Sequence, residues 1–205
     1  MRSLRVLILA FDGVEALDFA GPFEVFTTAT RMHQRVQPDA APLFEVASVA
    51  ASVSVPVQAR AGLRQLADHT FTDSPQADVL IVPGGVVDAA MESAETLRWI
   101  AAQSQRAQIT ASVCTGAFLL AAAGVLIDQP VTTHWEDIAE LRERFPALAV
   151  REGVRWVDGG RVVTSAGISA GIDMSLHLVE RLAGRALADR TARQMDFAWT
   201  ENATA

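Results

Sequence analysis

The stretch Ile109-Thr110-Ala111-Ser112-Val113-Cys114-Thr115-Gly116-Ala117-Phe118-Leu119-Leu120 holds the reading from which the rest follows. Its first half, Ile109 to Val113, is a β-like run and is predicted as a strand. Its second half continues from Ala117 to Ala123 as an alanine- and leucine-rich helical run, with Gly124 at the C-cap position. Cys114 lies between them, with Ser112 two residues before it and Gly116 two after, which is the small-residue spacing a strained strand-to-helix elbow requires. The uncharged stretch from Ala107 to Ile127 is long enough to cross a bilayer, at about 20 residues. Its polar and glycine positions and its change of character midway predict a buried strand and a buried helix instead.

Outward from this elbow the chain alternates strand and helix. Arg5 to Ala10 is a continuous aliphatic run, the pattern of a central strand covered on both faces. Asp18 to Met32 is predicted as a helix with Pro22 near its first turn, and Leu43 to Ala50 as a second strand. Asp78 to Val82 is a third, closed by Pro83-Gly84-Gly85 and followed by a helix over Glu92 to Arg106. Arg155 to Ser165 reads as a hairpin about Asp158-Gly159-Gly160 at the sheet edge. Ile172 to Leu182 and Ala188 to Trp199 are predicted as closing helices separated by Gly184. This is the pattern of one α/β domain spanning residues 1–205, with a mostly parallel central sheet and helices on both faces. Such folds bind ligands beyond the carboxyl ends of their strands, so the loop after Ala10, the Gly84-Gly85 turn and the Cys114 elbow should converge.

Composition narrows the functions available. The chain has 205 residues, 50% hydrophobic and 20% charged, which predicts a packed globular interior. Its formal charge is -7 and its arginines are scattered, so no electrostatic footprint for nucleic acid is expected. The basic residues are all arginine, which excludes a Schiff-base lysine and a P-loop. One cysteine allows neither an internal disulfide nor a multi-thiolate zinc site. The expected setting is the cytoplasm, with no membrane span, metal or cofactor. The N-terminal apolar run, interrupted by Asp12, reads as a strand and not a signal peptide.

A lone cysteine is more often a small buried hydrophobe than a catalyst, but the elbow makes Cys114 a candidate nucleophile. Placed at a helix N-terminus, its thiol is expected to have a lowered pKa. The N–H groups of Gly85 and Thr115 are candidate oxyanion donors, with Gly84 part of the same pocket. Four acids after the first strand, Asp12, Glu15, Asp18 and Glu24, compete as its partner. For Asp18 the competing role is that of helix N-cap. His134, in Thr132-Thr133-His134-Trp135, is a candidate base or pocket wall, whereas His33, His69 and His177 show no companions.

Leu17-Asp18-Phe19-Ala20-Gly21-Pro22, Val82-Pro83-Gly84-Gly85, Ser112-Val113-Cys114-Thr115-Gly116, Thr132-Thr133-His134-Trp135 and Ala170-Gly171-Ile172-Asp173 together resemble the ThiJ/PfpI superfamily, of glutamine-amidotransferase-like fold. Within it the chain is most similar to the isonitrile hydratase branch and to the amidase-like domains of some AraC-type regulators. The resemblance implies a flavodoxin-like three-layer sandwich, a homodimer, Cys114 as nucleophile, Asp18 as its acid partner and a small-molecule substrate. The implied activity is hydration of an isonitrile to an N-substituted formamide. The alternatives are glyoxalase or deglycase chemistry, redox sensing at the cysteine, and a ligand-sensing domain without turnover. Superfamily proteases carry histidine directly after the cysteine; Thr115 stands there in this chain, which disfavours peptidase activity. Val86-Val87 replaces the small polar residues that follow the Gly-Gly turn in the hydratases.

Overall fold

The computed structural model describes residues 2–202. The chain begins with β1 (Leu4–Leu9), α1 (Ala16–Val36) and β2 (Phe44–Ala50). Three short strands follow: β3 (Val57–Gln58), β4 (Arg64–Gln65) and β5 (His69–Thr70). Next come β6 (Val79–Val82), α2 (Asp88–Glu92), α3 (Ala94–Arg106), β7 (Ile109–Val113) and α4 (Gly116–Ala122). A small unit of β8 (Pro130–Val131), a 3-10 turn (Trp135–Asp137), α5 (Ile138–Arg144) and β9 (Ala149–Val150) leads to β10 (Trp156–Asp158), β11 (Val162–Ser165), α6 (Ala170–Ala183) and α7 (Arg185–Gln194).

The main sheet has seven strands in the order β10-β11-β7-β6-β1-β2-β5. Every pairing is parallel except β10 with β11, the hairpin at the edge. β1 and β6 are aliphatic interior strands, and β7 beside them is equally buried although Thr110 and Ser112 alternate with its apolar residues. One helical layer packs α1 against α6 and α7, and a second packs α4 against α2 and α3. The chain reverses direction across the sheet between β1 and β6, so the carboxyl ends of β1, β6 and β7 lie side by side at a topological switch point.

Several boundaries differ from those expected. α1 starts at Ala16, with Glu15 as its N-cap, so Asp18 lies inside the first turn and does not cap the helix. Pro22 consequently falls within the helix, where its missing N–H removes the bond that would run back to the Asp18 carbonyl. The helix expected from Glu92 to Arg106 begins at Ala94, because Ser93 caps α3 by accepting from the Thr96 N–H, and the short α2 before it was not expected. The last helix begins directly after Gly184 and ends at Gln194, not Trp199.

Beyond α7 the chain returns across the sheet edge. The Trp199 Nε1–H donates to the Asp173 carbonyl at 3.2 Å, and the Thr200 N–H donates to Asp173 Oδ1 at 2.8 Å. The Asn202 side chain brackets β10, donating to the Trp156 carbonyl at 2.7 Å and accepting from the Arg155 N–H at 2.9 Å. These bonds occupy groups of the edge strand that would otherwise be open to another chain.

Candidate active site

The three predicted loops do converge. Gly116 begins α4 so close to the end of β6 that a Cβ there would overlap the Val82 carbonyl oxygen. That contact brings the Cys114 elbow against the Gly84 turn. A Cβ on Gly84 would lie 2.5 Å from the Thr115 nitrogen and 2.9 Å from the Cys114 Cβ, so no larger residue fits. The loop after β1 joins them through a bridge between Val14 and Gly85 and a 2.8 Å bond from the Glu15 N–H to the Gly84 carbonyl.

Asp18 is fully buried at this junction. Its Oδ2 accepts from the Gly84 N–H at 3.2 Å, while Oδ1 has no well-aligned partner among the described residues. The Cys114 thiol and the Ile168 N–H lie near enough to act as weak donors to the carboxyl. Burial pushes the Asp18 pKa up from 3.8 to about 7; the Gly84 bond opposes this, and the charge of Glu15 adds to it. The converging loops therefore hold an acid that titrates near neutrality.

Cys114 follows the last residue of β7 and is itself in the left-handed region, with φ 55°. Its N–H donates to the Ser165 carbonyl at 3.2 Å and its carbonyl accepts from the Thr133 hydroxyl at 2.9 Å, so the strained residue is pinned from both sides. The thiol is buried at 7% exposure. Burial, followed by the charge of Asp18, raises its pKa to about 12; the Thr115 N–H opposes this and Asp137 adds to it. The expected lowering by the helix N-terminus is thus overturned, because desolvation and a facing carboxylate outweigh a helix of seven residues.

The other expected residues fare unequally. The Thr115 N–H faces the Cys114 sulfur. The Gly85 N–H is already committed to Thr115 Oγ1 at 2.8 Å, and that hydroxyl donates back to the Gly85 carbonyl at 2.9 Å, so Gly85 is not a free oxyanion donor in this arrangement. His134 lines the same cavity as Cys114, and its Nδ1 lies 3.3 Å from Asp137 Oδ2, with no hydrogen bond to the thiol. Several lining residues escaped the sequence reading, Ile168 and Asp137 among them. Ile168, a β-branched residue at φ 51°, follows the Gly167 turn after β11, and Asp137 sits three residues beyond His134, as a local acid–histidine spacing could have suggested.

Comparison with known proteins places this geometry. The DJ-1/PfpI family pattern matches residues 4–181. The chain belongs to the DJ-1/PfpI family. One relative is the isonitrile hydratase of Pseudomonas putida, 36% identical over 197 residues, covering 96% of this chain and 79% of that protein. The transcriptional regulator GbdR of Pseudomonas aeruginosa is 36% identical over 131 residues, but the match covers 64% of this chain and 35% of the regulator. Among solved structures, a ThiJ/PfpI family protein from Pseudomonas syringae superposes with a TM-score of 0.83 at 29% identity, covering 96% of this chain and 76% of that one.

In this DJ-1/PfpI chain the junction opens into a cavity of about 320 Å³ that runs outward from Cys114 and Thr115, past Val86, Phe118 and Ile168. Among the described residues, no cluster of three or more histidine, cysteine or carboxylate side chains is spaced to hold a metal ion. No described helix is long and apolar enough to cross a membrane.

Proposed function

We propose that the protein is a cysteine-dependent hydratase that converts an isonitrile to an N-substituted formamide. The observation that carries this reading is the pairing of a buried carboxyl, titrating near neutrality, with the Cys114 thiol at the foot of a small-molecule cavity. The 36% identity to a protein named isonitrile hydratase supports the same reaction.

The two groups together hold one proton in the working state. Asp18, as carboxylate, takes the thiol proton, and the sulfur bonds to the terminal isonitrile carbon while Asp18 returns that proton to the same carbon. The product is a thioimidate on Cys114. Water then adds across the carbon–nitrogen double bond, its oxygen to carbon and one proton to nitrogen; the carbon–sulfur bond breaks as the hydroxyl becomes the formyl carbonyl, and its proton passes through Asp18 to the leaving sulfur. Every atom of water ends in product or thiol, and no cofactor takes part. The Thr115 N–H, which faces the sulfur, lowers the energy of the thiolate during both steps.

Burial and the facing Asp18 carboxyl favour the protonated thiol, so the sulfur ionises as Asp18 takes its proton. We further infer a homodimer in a reducing cytoplasm. In its support, Val53, Val55, Leu63 and Leu66 leave apolar side chains exposed along the β3–β4 segment. Purified protein incubated with a simple alkyl isonitrile should release the formamide, and Cys114→Ala should lower that rate by at least about a thousandfold, as removal of a covalent nucleophile does. Turnover that survives in Cys114→Ala would sink the mechanism.

A further inference from the structure

Two adjoining cavities lie where the last turns of α1 meet α7, at the opposite end of the sheet from Cys114. One, of about 300 Å³, is apolar: Met32, Val36, Leu43, Leu182, Ala186 and Leu187 line most of it. The other, of about 550 Å³, is basic, with Arg35, Arg190 and Arg193 around it. Met32 and Arg190 line both, so the two share a wall and form one depression. Leu43 immediately precedes β2, which places the depression at the amino edge of the parallel strands, whereas the Cys114 site occupies their carboxyl ends. α1 reaches both, with Asp18 in its first turn and Val36 in its last, roughly 25 Å apart along the axis at about 1.5 Å per residue.

The charge here runs against that of the chain, whose formal net charge is -7. Three arginines line the basic cavity against one carboxylate, Asp189, and Arg185 already holds that carboxylate at 2.8 Å. Arg35 donates to Gln194 Oε1 at 3.0 Å, and among the described residues none of the three arginines is paired with a carboxylate. Arg190 and Arg193 stand three residues apart on α7, where like charges repel unless an anion lies between them. Beside them Val36 leaves an apolar side chain 61% exposed at the rim of the apolar cavity. A ligand that satisfies both cavities has an aliphatic tail and an anionic head, and the guanidinium fork matches the two oxygens of a carboxylate. We propose that this depression binds a medium-chain aliphatic carboxylate. Its tail lies among Met32, Leu43, Leu182 and Leu187, and its head lies beside Arg190 and Arg193. At about 30 Å³ for each methylene-sized group, the apolar cavity admits a chain of about eight to ten carbons. The site is independent of the reaction at Cys114.

The experiment titrates the full chain at low ionic strength with octanoate, acetate and octyltrimethylammonium, followed by calorimetry and by methyl NMR. Octanoate should saturate with a Kd of about 1 mM or tighter, and it should shift the methyl signals of Val36, Leu43, Leu182 and Leu187. Acetate, which lacks the tail, and octyltrimethylammonium, which reverses the charge, should each bind at least about tenfold more weakly. The double variant Arg190→Ala/Arg193→Ala should weaken octanoate by about tenfold, and more salt should weaken it in the wild type. Ala186 is an exposed helix residue, so Ala186→Phe should fold normally, occupy the apolar cavity and weaken octanoate by a similar factor. Equal affinity for the octyl cation and anion, shifts centred on other methyl groups, or octanoate binding that either variant leaves unchanged would overturn the proposal. So would the absence of saturation by about 20 mM octanoate, well above the affinity expected for a ligand of this size.

Discussion

Burying an acid costs stability whenever the acid must ionise. For Asp18 the pKa is raised from 3.8 to about 7, so between those values the native chain keeps a proton that the unfolded chain has released. Stability therefore falls as pH rises through that window and levels off above about 7, a loss of a few kcal/mol at about 1.4 kcal/mol per unit. Asp18→Asn should accordingly raise Tm more at about pH 8 than at about pH 4, while abolishing hydration. Equal Tm changes at both values would show that the carboxyl is not held as described. In the wild type, kcat/KM should climb as pH rises through about 7, because the carboxylate must be free to take the thiol proton; a profile that falls there would assign Asp18 the opposite state. Cys114 could be picked out from two small neighbours in the sequence, since sterics at an elbow act on adjacent residues. Its raised pKa could not, because it comes from burial and from Asp18, 96 positions away in the sequence.

At the level of elements, the site is a meeting of loop ends, after β1, β6, β7 and β11. Strand identity was readable because continuous aliphatic runs such as Val79–Val82 have few other ways to be satisfied. The segments β3–β5 and β8–β9 were not, since two-residue strands leave no periodicity and are fixed by distant partners such as Gln58, whose carbonyl accepts from the Gly13 N–H. The start of α1 departs from expectation for a related reason. Asp18 has the chemistry of a cap, but its side chain is drawn into the site by the Gly84 N–H. Gly84 is where the β6 loop and the elbow depend most closely on each other. Gly84→Ala should cost about 1–3 kcal/mol, as overpacking does, and should disturb the Asp18 contact as well. Thermal unfolding alongside turnover checks this; a variant with wild-type Tm and rate would mean that the close approach is not required.

For the molecule as a whole, alternation of strand and helix was enough to give the parallel sheet. The closing strap was invisible in the sequence because it depends on distant partners, Asp173 and the residues of β10. Asp173 is fully buried, pairs with the one-third exposed Arg155 and anchors Trp199 and Thr200. Asp173→Ala would remove those anchors, for an expected loss of about 1–3 kcal/mol in denaturant titration. The central claim is that hydration passes through a bond to Cys114, and rapid quenching of enzyme with excess isonitrile, followed by intact and peptide mass measurement, tests it most directly. An adduct of the full isonitrile mass should form on Cys114 before formamide accumulates and decay with its release. Formamide appearing at the steady rate while Cys114 stays unmodified would contradict it.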